Sequence, residues 1–272
     1  MRNLQIHNAP FDVNFSSCST LVPNSFRWKH HENNELPVVY CDDSIFGGME
    51  DPNPEKYAWI VESPELTKNV VAFIRNNKSL VSSTYKKLFT CIESLVGLEK
   101  NFVYCPSGSN LPWIKTREIF EKTKACSMFA SRKRYTSGHY MRDYYAKKFA
   151  NSLDLYGGTN NSKVIGSGIH PDKSEGMNPY MFSVVIENCM EDKYYTEKVT
   201  DCFATGTVPI YWGTRKICED FDQRGIIFLD SSFDITSLNR DLYMSKMEYI
   251  RSNFEIVNGL KMADDYLMER IV

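Results

Sequence analysis

Short apolar runs alternate with helical segments through most of the chain. In the second half, residues 139–150 and 196–204 have helical periodicity. Around them stand apolar runs typical of buried strands, at 127–130, 153–156, 182–187, 208–212 and 226–230. Strands that alternate with helices over short connections are typical of a parallel, three-layer α/β arrangement. The pattern therefore predicts parallel sheets covered by helices.

The first half has the same pattern, but its strand-like and helical segments are less clearly distinguished. Strand-like runs lie at residues 37–41, 57–61 and 101–105, and residues 67–76 have helical periodicity. The chain turns polar between Trp113 and Lys124. We therefore predict two α/β lobes, residues 1–115 and residues 116–272, with a helical tail from residue 238 in the second lobe. Ligands of such folds bind outside the carboxyl ends of the strands, which predicts a site in the cleft between the lobes.

The charge balance excludes some classes of partner. The 272 residues include 32 Lys or Arg and 34 Asp or Glu, with a formal net charge of −2. This balance argues against a protein that coats nucleic acid or an anionic membrane. Residues 122–148, the basic stretch, carry eight Lys or Arg and one acidic residue, Asp143. Because the stretch lacks a recognisable RNA-binding motif, we expect no nucleic-acid partner and mostly solvated lysines.

Hydropathy and cysteine usage indicate the compartment. No apolar run approaches the roughly 20 residues of a membrane span, and the first residues lack the apolar segment of a signal peptide. The eight cysteines have no CxxC spacing, and several lie in apolar runs. Such cysteines are typical of free thiols in a reducing compartment. We therefore predict a cytoplasmic protein without a membrane span.

The segment 180–213 carries the clearest candidate site. A buried strand ends in Glu187-Asn188, a polar loop follows, and Thr196 is placed to cap a helix that begins at Glu197. The N-terminus of a helix attracts anions, and Lys198 would add a full positive charge there. Together with the hydroxyl of Tyr194, this arrangement suits a diphosphate.

A purely structural interpretation of the same segment stays open from spacing alone. The helix could be an ordinary capped amphipathic helix that buries Val199, Cys202 and Phe203. Glu197 also needs an explanation, because a carboxylate repels a neighbouring anion unless it serves another group, such as ribose hydroxyls.

Residues 187–213, ENCMEDKYYTEKVTDCFATGTVPIYWG, resemble the donor-binding signature of glycosyltransferase family 10, the α-1,3-fucosyltransferases. Further pieces agree in order: Ala130-Ser131, Gly138-His139, Arg142 and Tyr156-Gly157. Residues 59–64, WIVESP, are similar to the E-S-P element of the family's first domain. The likeness is dense over residues 126–230 and sparse before residue 110.

The resemblance implies a GT-B fold, with two Rossmann-like lobes that face each other. It also implies an inverting sugar transfer from a nucleotide sugar, GDP-fucose by default, to a glycan hydroxyl, without a metal or other cofactor. Residues 1–115 would be the acceptor-side lobe and residues 116–272 the donor-binding lobe. The implied donor-binding residues are Arg142, Asn188, Tyr194, Glu197 and Lys198. To these we add Thr196, from its place at the helix start, and His139, which could touch phosphate or simply start its own helix. Arg142, Tyr194 and Lys198 would hold the diphosphate, Glu197 the nucleoside, and Asn188 would lie near the sugar.

The catalytic residues implied in this way are Glu62, Arg142 and Lys198. Glu62 would be the general base that takes the proton of the acceptor hydroxyl, and the two cations would stabilise the departing diphosphate. Glu65 is the rival for the base. Asp42-Asp43 could instead hold a metal or an acceptor hydroxyl. The pair Asp220 and Asp222 resembles a metal-binding DxD motif, but its position favours surface acids.

The chain also departs from the family pattern. It is short for a GT-B enzyme, and Met181 stands where a lysine commonly precedes the family's aromatic residue. The diphosphate site is therefore better supported than the donor, and UDP-xylose or another nucleotide sugar is an alternative. A non-catalytic glycan- or nucleotide-binding module is a further alternative. The acceptor, the linkage and the oligomeric state do not follow from the sequence.

Overall fold

Two parallel β-sheets organise the chain in the computed structural model, which describes residues 2–19, 21–32, 37–157 and 173–271. The first has six strands in the order β2-β1-β3-β4-β5-β6 and the second has five in the order β11-β10-β9-β7-β8. Every strand pairing among the described residues is parallel. The strands are β1 (Arg2–His7), β2 (Phe26–His30), β3 (Val38–Cys41), β4 (Lys56–Trp59), β5 (Leu88–Thr90), β6 (Phe102–Tyr104), β7 (Lys124–Phe129), β8 (Asp154–Tyr156), β9 (Tyr180–Ile186), β10 (Val208–Trp212) and β11 (Ile227–Phe228).

Helices connect the strands and cover the sheets. They are α1 (Ser44–Gly48), α2 (Lys68–Asn76), α3 (Lys78–Thr84), α4 (Ser137–Lys148), α5 (Ser174–Met177), α6 (Glu197–Thr205), α7 (Arg240–Ser245), α8 (Met247–Gly259) and α9 (Ala263–Ile271). Short 3₁₀ turns lie at Arg215–Glu219, Gln223–Gly225 and Ile235–Ser237. None of the described helices is long and apolar enough to cross a membrane.

Burial on both faces explains why the strands are apolar runs rather than alternating ones. β3 and β4 are buried at every position, and β9 is buried at six of its seven. Strands of a parallel sheet with helices on both sides are buried in this way. The predicted α/β class with parallel sheets is therefore confirmed.

The sequence predictions missed three strands of the first sheet. β1 and β2 mix apolar and polar residues, as in RNLQIH and FRWKH, and β5 has only three residues. The polar Gln5 of β1 is buried because its side-chain oxygen accepts a hydrogen bond from the backbone N–H of Glu32 at 2.8 Å. A strand that buries a hydrogen-bonded polar side chain lacks the apolar signal on which the predictions relied.

The chain forms two compact units. The first contains Met1–Asn110, Glu191–Tyr194 and Lys261–Val272, and the second contains Leu111–Met190 and Tyr195–Leu260. The predicted lobes, 1–115 and 116–272, differ from this division at their boundary, at Glu191–Tyr194 and at helix α9. Helix α9 lies in the first unit because Ala263, Leu267 and Met268 pack into an apolar cluster with the first sheet.

Lys122 is an exception to the prediction that the lysines of the basic stretch are solvated. Its side chain is buried, and its ammonium group donates to the carbonyl oxygens of Asn178 and Thr205 and to the hydroxyl of Thr207 at 2.7–3.0 Å. Burial lowers the pKa of Lys122 to about 7. Lys122 therefore holds the backbone at the ends of α5 and α6 rather than a ligand.

Asp264 anchors helix α9 in the first unit, which gives a testable prediction. Its buried carboxylate accepts hydrogen bonds from the indole N–H of Trp28 at 2.6 Å and from the N–H and hydroxyl of Ser17 at 3.2 and 2.5 Å. Asp264→Ala would leave the buried indole N–H of Trp28 and the backbone N–H of Ser17 without this acceptor. We expect the free energy of unfolding of the first unit to fall by about 2–4 kcal/mol in urea titrations.

The matched control is Glu269→Ala on the same helix. Glu269 is exposed and pairs with Lys261, so its loss should hardly change the free energy of unfolding. Equal destabilisation by the two variants would contradict the role given to Asp264.

Candidate functional site

The candidate site of the second unit begins where β9 ends. Glu187, the first residue after β9, is fully buried, and its carboxylate accepts from the N–H and the hydroxyl of Thr196 at 2.9 and 2.8 Å. Thr196 in turn is the N-cap of α6, as the sequence predicted. The carboxylate thereby fixes the start of α6 at the carboxyl end of β9.

Lys198 is held at the same point. Its ammonium group donates to the hydroxyl of Thr196 at 2.8 Å and lies 3.5 Å from Oε2 of Glu187. The buried carboxylate is thus balanced by a cation, as burial of a charge requires. The first turn of α6 therefore combines the N–H groups of a helix start with a positioned positive charge.

Arg142 reaches the same strand end from helix α4. Its Nε donates to the carbonyl oxygen of Ile186 at 2.9 Å, and its Nη2 donates to Oδ1 of Asn188 at 2.7 Å. The side chain is only 7% exposed. The backbone N–H of Gly138, in the first turn of α4, donates to the carbonyl oxygen of Asn188 at 2.9 Å. Two helix starts, those of α4 and α6, are therefore both tied to the residues that follow β9.

The electrostatic environment of His139 indicates how closely the cations gather. Its Nδ1 lies 2.7 Å from the hydroxyl of Thr136, the N-cap of α4. Burial, together with the positive charges of Arg142, Lys133 and Lys198, lowers the pKa of His139 to about 4. The imidazole is therefore neutral at neutral pH. The same fields that disfavour its protonation favour an anion at this edge of the sheet.

Glu197 has the partners that the sequence left unexplained. Its carboxylate lies 3.3 Å from the ammonium group of Lys173 and 3.5 Å from that of Lys198. Burial opposes ionisation, but these two cations lower the pKa of Glu197 to about 2. A compensated carboxylate does not repel a neighbouring anion as an isolated one would. Glu197 can therefore accept hydrogen bonds from hydroxyl groups beside a diphosphate.

The ion pairs of Glu197 belong to a larger ion network on α6, formed by Glu197, Lys198, Lys173 and Asp201. Sequence reasoning missed Lys173 and Asp201. Lys173 also pairs with Asp201 at 2.8 Å, one turn along α6 from Glu197. Asp201 is fully buried and accepts from the backbone N–H of Trp113 at 2.7 Å, while the ammonium group of Lys173 lies 4.9 Å from the centroid of the Trp113 ring. The four-residue spacing of Glu197 and Asp201 could have indicated a shared partner. No periodicity pointed to Lys173.

The six predicted donor residues of the second unit lie together: Arg142, His139, Asn188, Thr196, Glu197 and Lys198. Tyr194 and Glu62 belong to the first unit, so their predicted roles stay predictions. Among the residues that the structure describes, no group of three or more His, Cys, Asp or Glu side chains is arranged to hold a metal ion. Asp222 caps a 3₁₀ turn and pairs with Arg224 at 2.7 Å.

Comparisons with known proteins bear on the same residues. Residues 119–246 match the family model described as glycosyltransferase family 10 (fucosyltransferase) C-term. The predicted resemblance is confirmed over this segment. The match includes the two helix starts and the strand end described above.

One curated relative and several solved structures are similar to the chain. A 78-residue segment is 31% identical to the α-(1,3)-fucosyltransferase FucT of Helicobacter pylori, and covers 28% of this chain and 16% of that protein. A crystal structure of an α1,3-fucosyltransferase with GDP aligns over 97% of this chain and 92% of its own, with a TM-score of 0.56 and 13% identity. A second structure of an α1,3-fucosyltransferase aligns over 99% and 89%, with a TM-score of 0.53 and 14% identity. At this identity the alignments establish the fold, and the predicted GT-B class is confirmed.

Gly138 provides a test of the contact between α4 and the end of β9. A Cβ atom at this position would lie 1.7 Å from the carbonyl oxygen of Glu187. Replacing glycine by alanine in a helix normally stabilises by about 0.5–1 kcal/mol, but here the backbone would have to move. We expect Gly138→Ala to lower the thermal unfolding midpoint of the second unit.

Gly47 serves as the control, because it lies in helix α1 with no atom within 4 Å of an added Cβ. Gly47→Ala should leave the thermal unfolding midpoint of its own unit, the first, unchanged or raise it. If Gly138→Ala behaved like Gly47→Ala, the close approach of α4 to Glu187 would be wrong.

Proposed function

We propose that this chain is a glycosyltransferase that transfers a sugar from a nucleotide sugar, GDP-fucose, to a hydroxyl group of a glycan acceptor. The observation that carries the proposal is the meeting of Arg142 and Lys198 with the starts of α4 and α6 beside the end of β9. Guanidinium and ammonium groups at helix N-termini are strong ligands for phosphate oxygens. A diphosphate fits this arrangement.

The donor diphosphate would serve as the leaving group. When the bond between the anomeric carbon and the diphosphate oxygen breaks, negative charge develops on that oxygen. Arg142 and Lys198 would stabilise this charge from fixed positions, which lowers the barrier because the cations need no reorganisation. Positive charge from side chains would do the work that a divalent metal does in other enzymes, so we propose a metal-independent reaction.

The acceptor side needs one base. In a single displacement, the acceptor oxygen forms a bond to the anomeric carbon as the diphosphate leaves from the opposite face, and the configuration inverts. We propose that Glu62 is the base that takes the proton of the acceptor hydroxyl. It is a half-buried carboxylate that follows β4 at the carboxyl edge of the first sheet.

Nucleoside recognition would fall to the ion network of α6. Glu197, charged and fixed by Lys173 and Lys198, can accept hydrogen bonds from ribose hydroxyls. Asn188, held by Arg142, would lie near the sugar, and Tyr194 would donate to the diphosphate. GDP-fucose is favoured over UDP-xylose because the relatives include α1,3-fucosyltransferases, one of them solved with GDP-fucose at a TM-score of 0.50, 13% identity and coverage of 94% of this chain and 81% of its own.

A cytoplasmic location also belongs to the proposal. All eight cysteines are free, and seven of them are buried. Thiols of this kind are compatible with a reducing compartment, where structural disulfides are rare.

Nucleotide release from a panel of donors tests the proposed reaction. The panel is GDP-fucose, GDP-mannose, UDP-xylose, UDP-glucose and UDP-galactose, each with mixed glycan acceptors and with or without EDTA. We expect release of GDP from GDP-fucose that EDTA does not reduce. Release from UDP-sugars alone would refute the fucosyl assignment, and nucleotide binding without turnover would favour a non-catalytic binding module.

Two lysine variants make the same experiment specific to the site. Lys198→Met should weaken GDP binding about 10- to 100-fold in calorimetric titrations, because it removes a charge-assisted contact to phosphate. Lys147→Met is the matched control, since Lys147 is an exposed lysine of the basic stretch that pairs with Asp143. Equal loss in both variants would mean that general positive charge, rather than the site, binds the nucleotide.

Glu62 and Glu65 can be separated as candidates for the base. Glu62→Gln should lower kcat about 100-fold or more and leave the affinity for GDP unchanged, because only proton transfer is removed. Glu65→Gln, three residues further on, should keep wild-type kcat. The reverse result would assign the base to Glu65, and the measurement is the initial rate of transfer at saturating donor.

A further inference from the structure

Asp42 occupies an unusual position directly after β3. Its backbone is in the left-handed region, with a φ of 47°, and its side chain is only 8% exposed. Aspartate tolerates this conformation better than most residues, but a left-handed residue other than glycine still costs free energy. The backbone N–H of Asp42 donates to the carbonyl oxygen of Trp59 at 3.1 Å, which ties it to the end of β4.

The carboxylate of Asp42 faces the segment that carries Glu62. Its Oδ1 accepts from the backbone N–H of Val61 at 2.9 Å and from that of Glu62 at 3.3 Å. These two groups follow the last sheet bond of the strand, which Ile60 makes to the carbonyl oxygen of Phe89 at 2.9 Å. Among the described residues, no backbone carbonyl oxygen accepts from either of these two N–H groups. Asp42 therefore replaces the missing neighbour strand for the two N–H groups.

The other side of the segment is fixed as well. The carbonyl oxygen of Ser63 accepts from the N–H and the hydroxyl of Thr67 at 3.0 and 3.1 Å, and Thr67 directly precedes α2. Glu62 thus stands between two anchors, Asp42 before it and Thr67 after it. Of these, only Asp42 bonds to the backbone of Glu62 itself.

Because Asp42 is buried, the N–H groups of Val61 and Glu62 in turn stabilise its carboxylate. Loss of solvent raises the pKa of Asp42 to about 7, against the opposite effect of the N–H groups of Glu62 and Val61. The nearby carboxylates of Glu62 and Asp43 add repulsion. The two N–H groups therefore offset part of the cost of burying this acid among other acids.

We infer that Asp42 is a positioning residue for Glu62, and that its carboxylate fixes the backbone from which the proposed base meets the acceptor hydroxyl. The inference rests on the proposed function, in which Glu62 is the base. Asp42 would not touch the substrate. Its effect is on geometry, and a base displaced by about 1 Å loses up to about 100-fold in rate.

Two substitutions separate the carboxylate from the strained backbone. Asp42→Gly removes the side chain and accepts a positive φ without cost, whereas alanine would add strain. Asp42→Asn keeps a side-chain oxygen for the two N–H groups and tolerates the left-handed conformation. The control is Glu50→Gln, because Glu50 is an exposed carboxylate of the same unit.

The first measurement is amide hydrogen exchange of Val61 and Glu62 in the wild type and in each variant. We expect both amides to be protected in the wild type, in Asp42→Asn and in Glu50→Gln, and to exchange at least about 10-fold faster in Asp42→Gly. Unprotected amides in the wild type would overturn the inference even if Asp42→Gly failed to fold.

The second measurement is the split between kcat and KM. Asp42→Gly should lower kcat about 10- to 100-fold with the KM for the donor unchanged, and Asp42→Asn should restore kcat to within about threefold of the wild type. A purely structural role would reduce the amount of folded protein and leave kcat per folded molecule unaltered. Wild-type kcat in Asp42→Gly would overturn the inference.

Glu62→Gln distinguishes the two levels of failure. If Glu62→Gln is inactive and Asp42→Gly fully active, the base assignment stands and the positioning role is wrong. If Glu62→Gln keeps wild-type kcat, the base assignment fails and the inference fails with it, whatever the exchange rates of the amides.

Discussion

The buried carboxylate of Glu187 is the interaction on which the site of the second unit depends. An ionised group that is fully buried costs several kcal/mol unless its oxygens are all engaged. Glu187 meets this requirement with the N–H and hydroxyl of Thr196 and with the ammonium group of Lys198. Glu187 therefore links the end of β9, the start of α6 and the cation in its first turn. If one of them moved, the buried carboxylate would lose a partner.

The carboxylates around Glu187 also hold the lysine side chains in place before any ligand binds. Lys198 is held by Glu187 and Glu197, and Lys173 is held by Glu197 and Asp201. A flexible lysine loses side-chain entropy when it binds phosphate, and here that loss belongs to folding instead of to binding. Preorganised charge is also what stabilises a developing anion most effectively. The same ion pairs thus serve folding and the proposed chemistry.

The sequence predicts the elements whose signal is local, and it misses the contacts that only the tertiary fold brings together. The second sheet followed from alternation, because its strands are apolar runs between periodic helices. Thr196 as a cap and Lys198 in the first turn followed from local rules of helix starts. β1 and β2 were missed since their polar residues break the apolar runs, and Lys173 was missed since only the tertiary fold brings it to Glu197. Glu187 was visible as the residue after a strand, but its burial was not.

Glu187 and Asp42 have the same structural role, one in each unit. Both carboxylates directly follow a buried parallel strand, and both accept backbone N–H groups of a neighbouring segment, Thr196 in one unit and Val61 with Glu62 in the other. Parallel strands end with N–H groups that have no further partner in the sheet, and functional residues collect at that edge. A short acidic side chain satisfies these donors without adding a strand that would cover the edge. The backbone at the edge of each sheet is therefore fixed by a side chain rather than by a further strand.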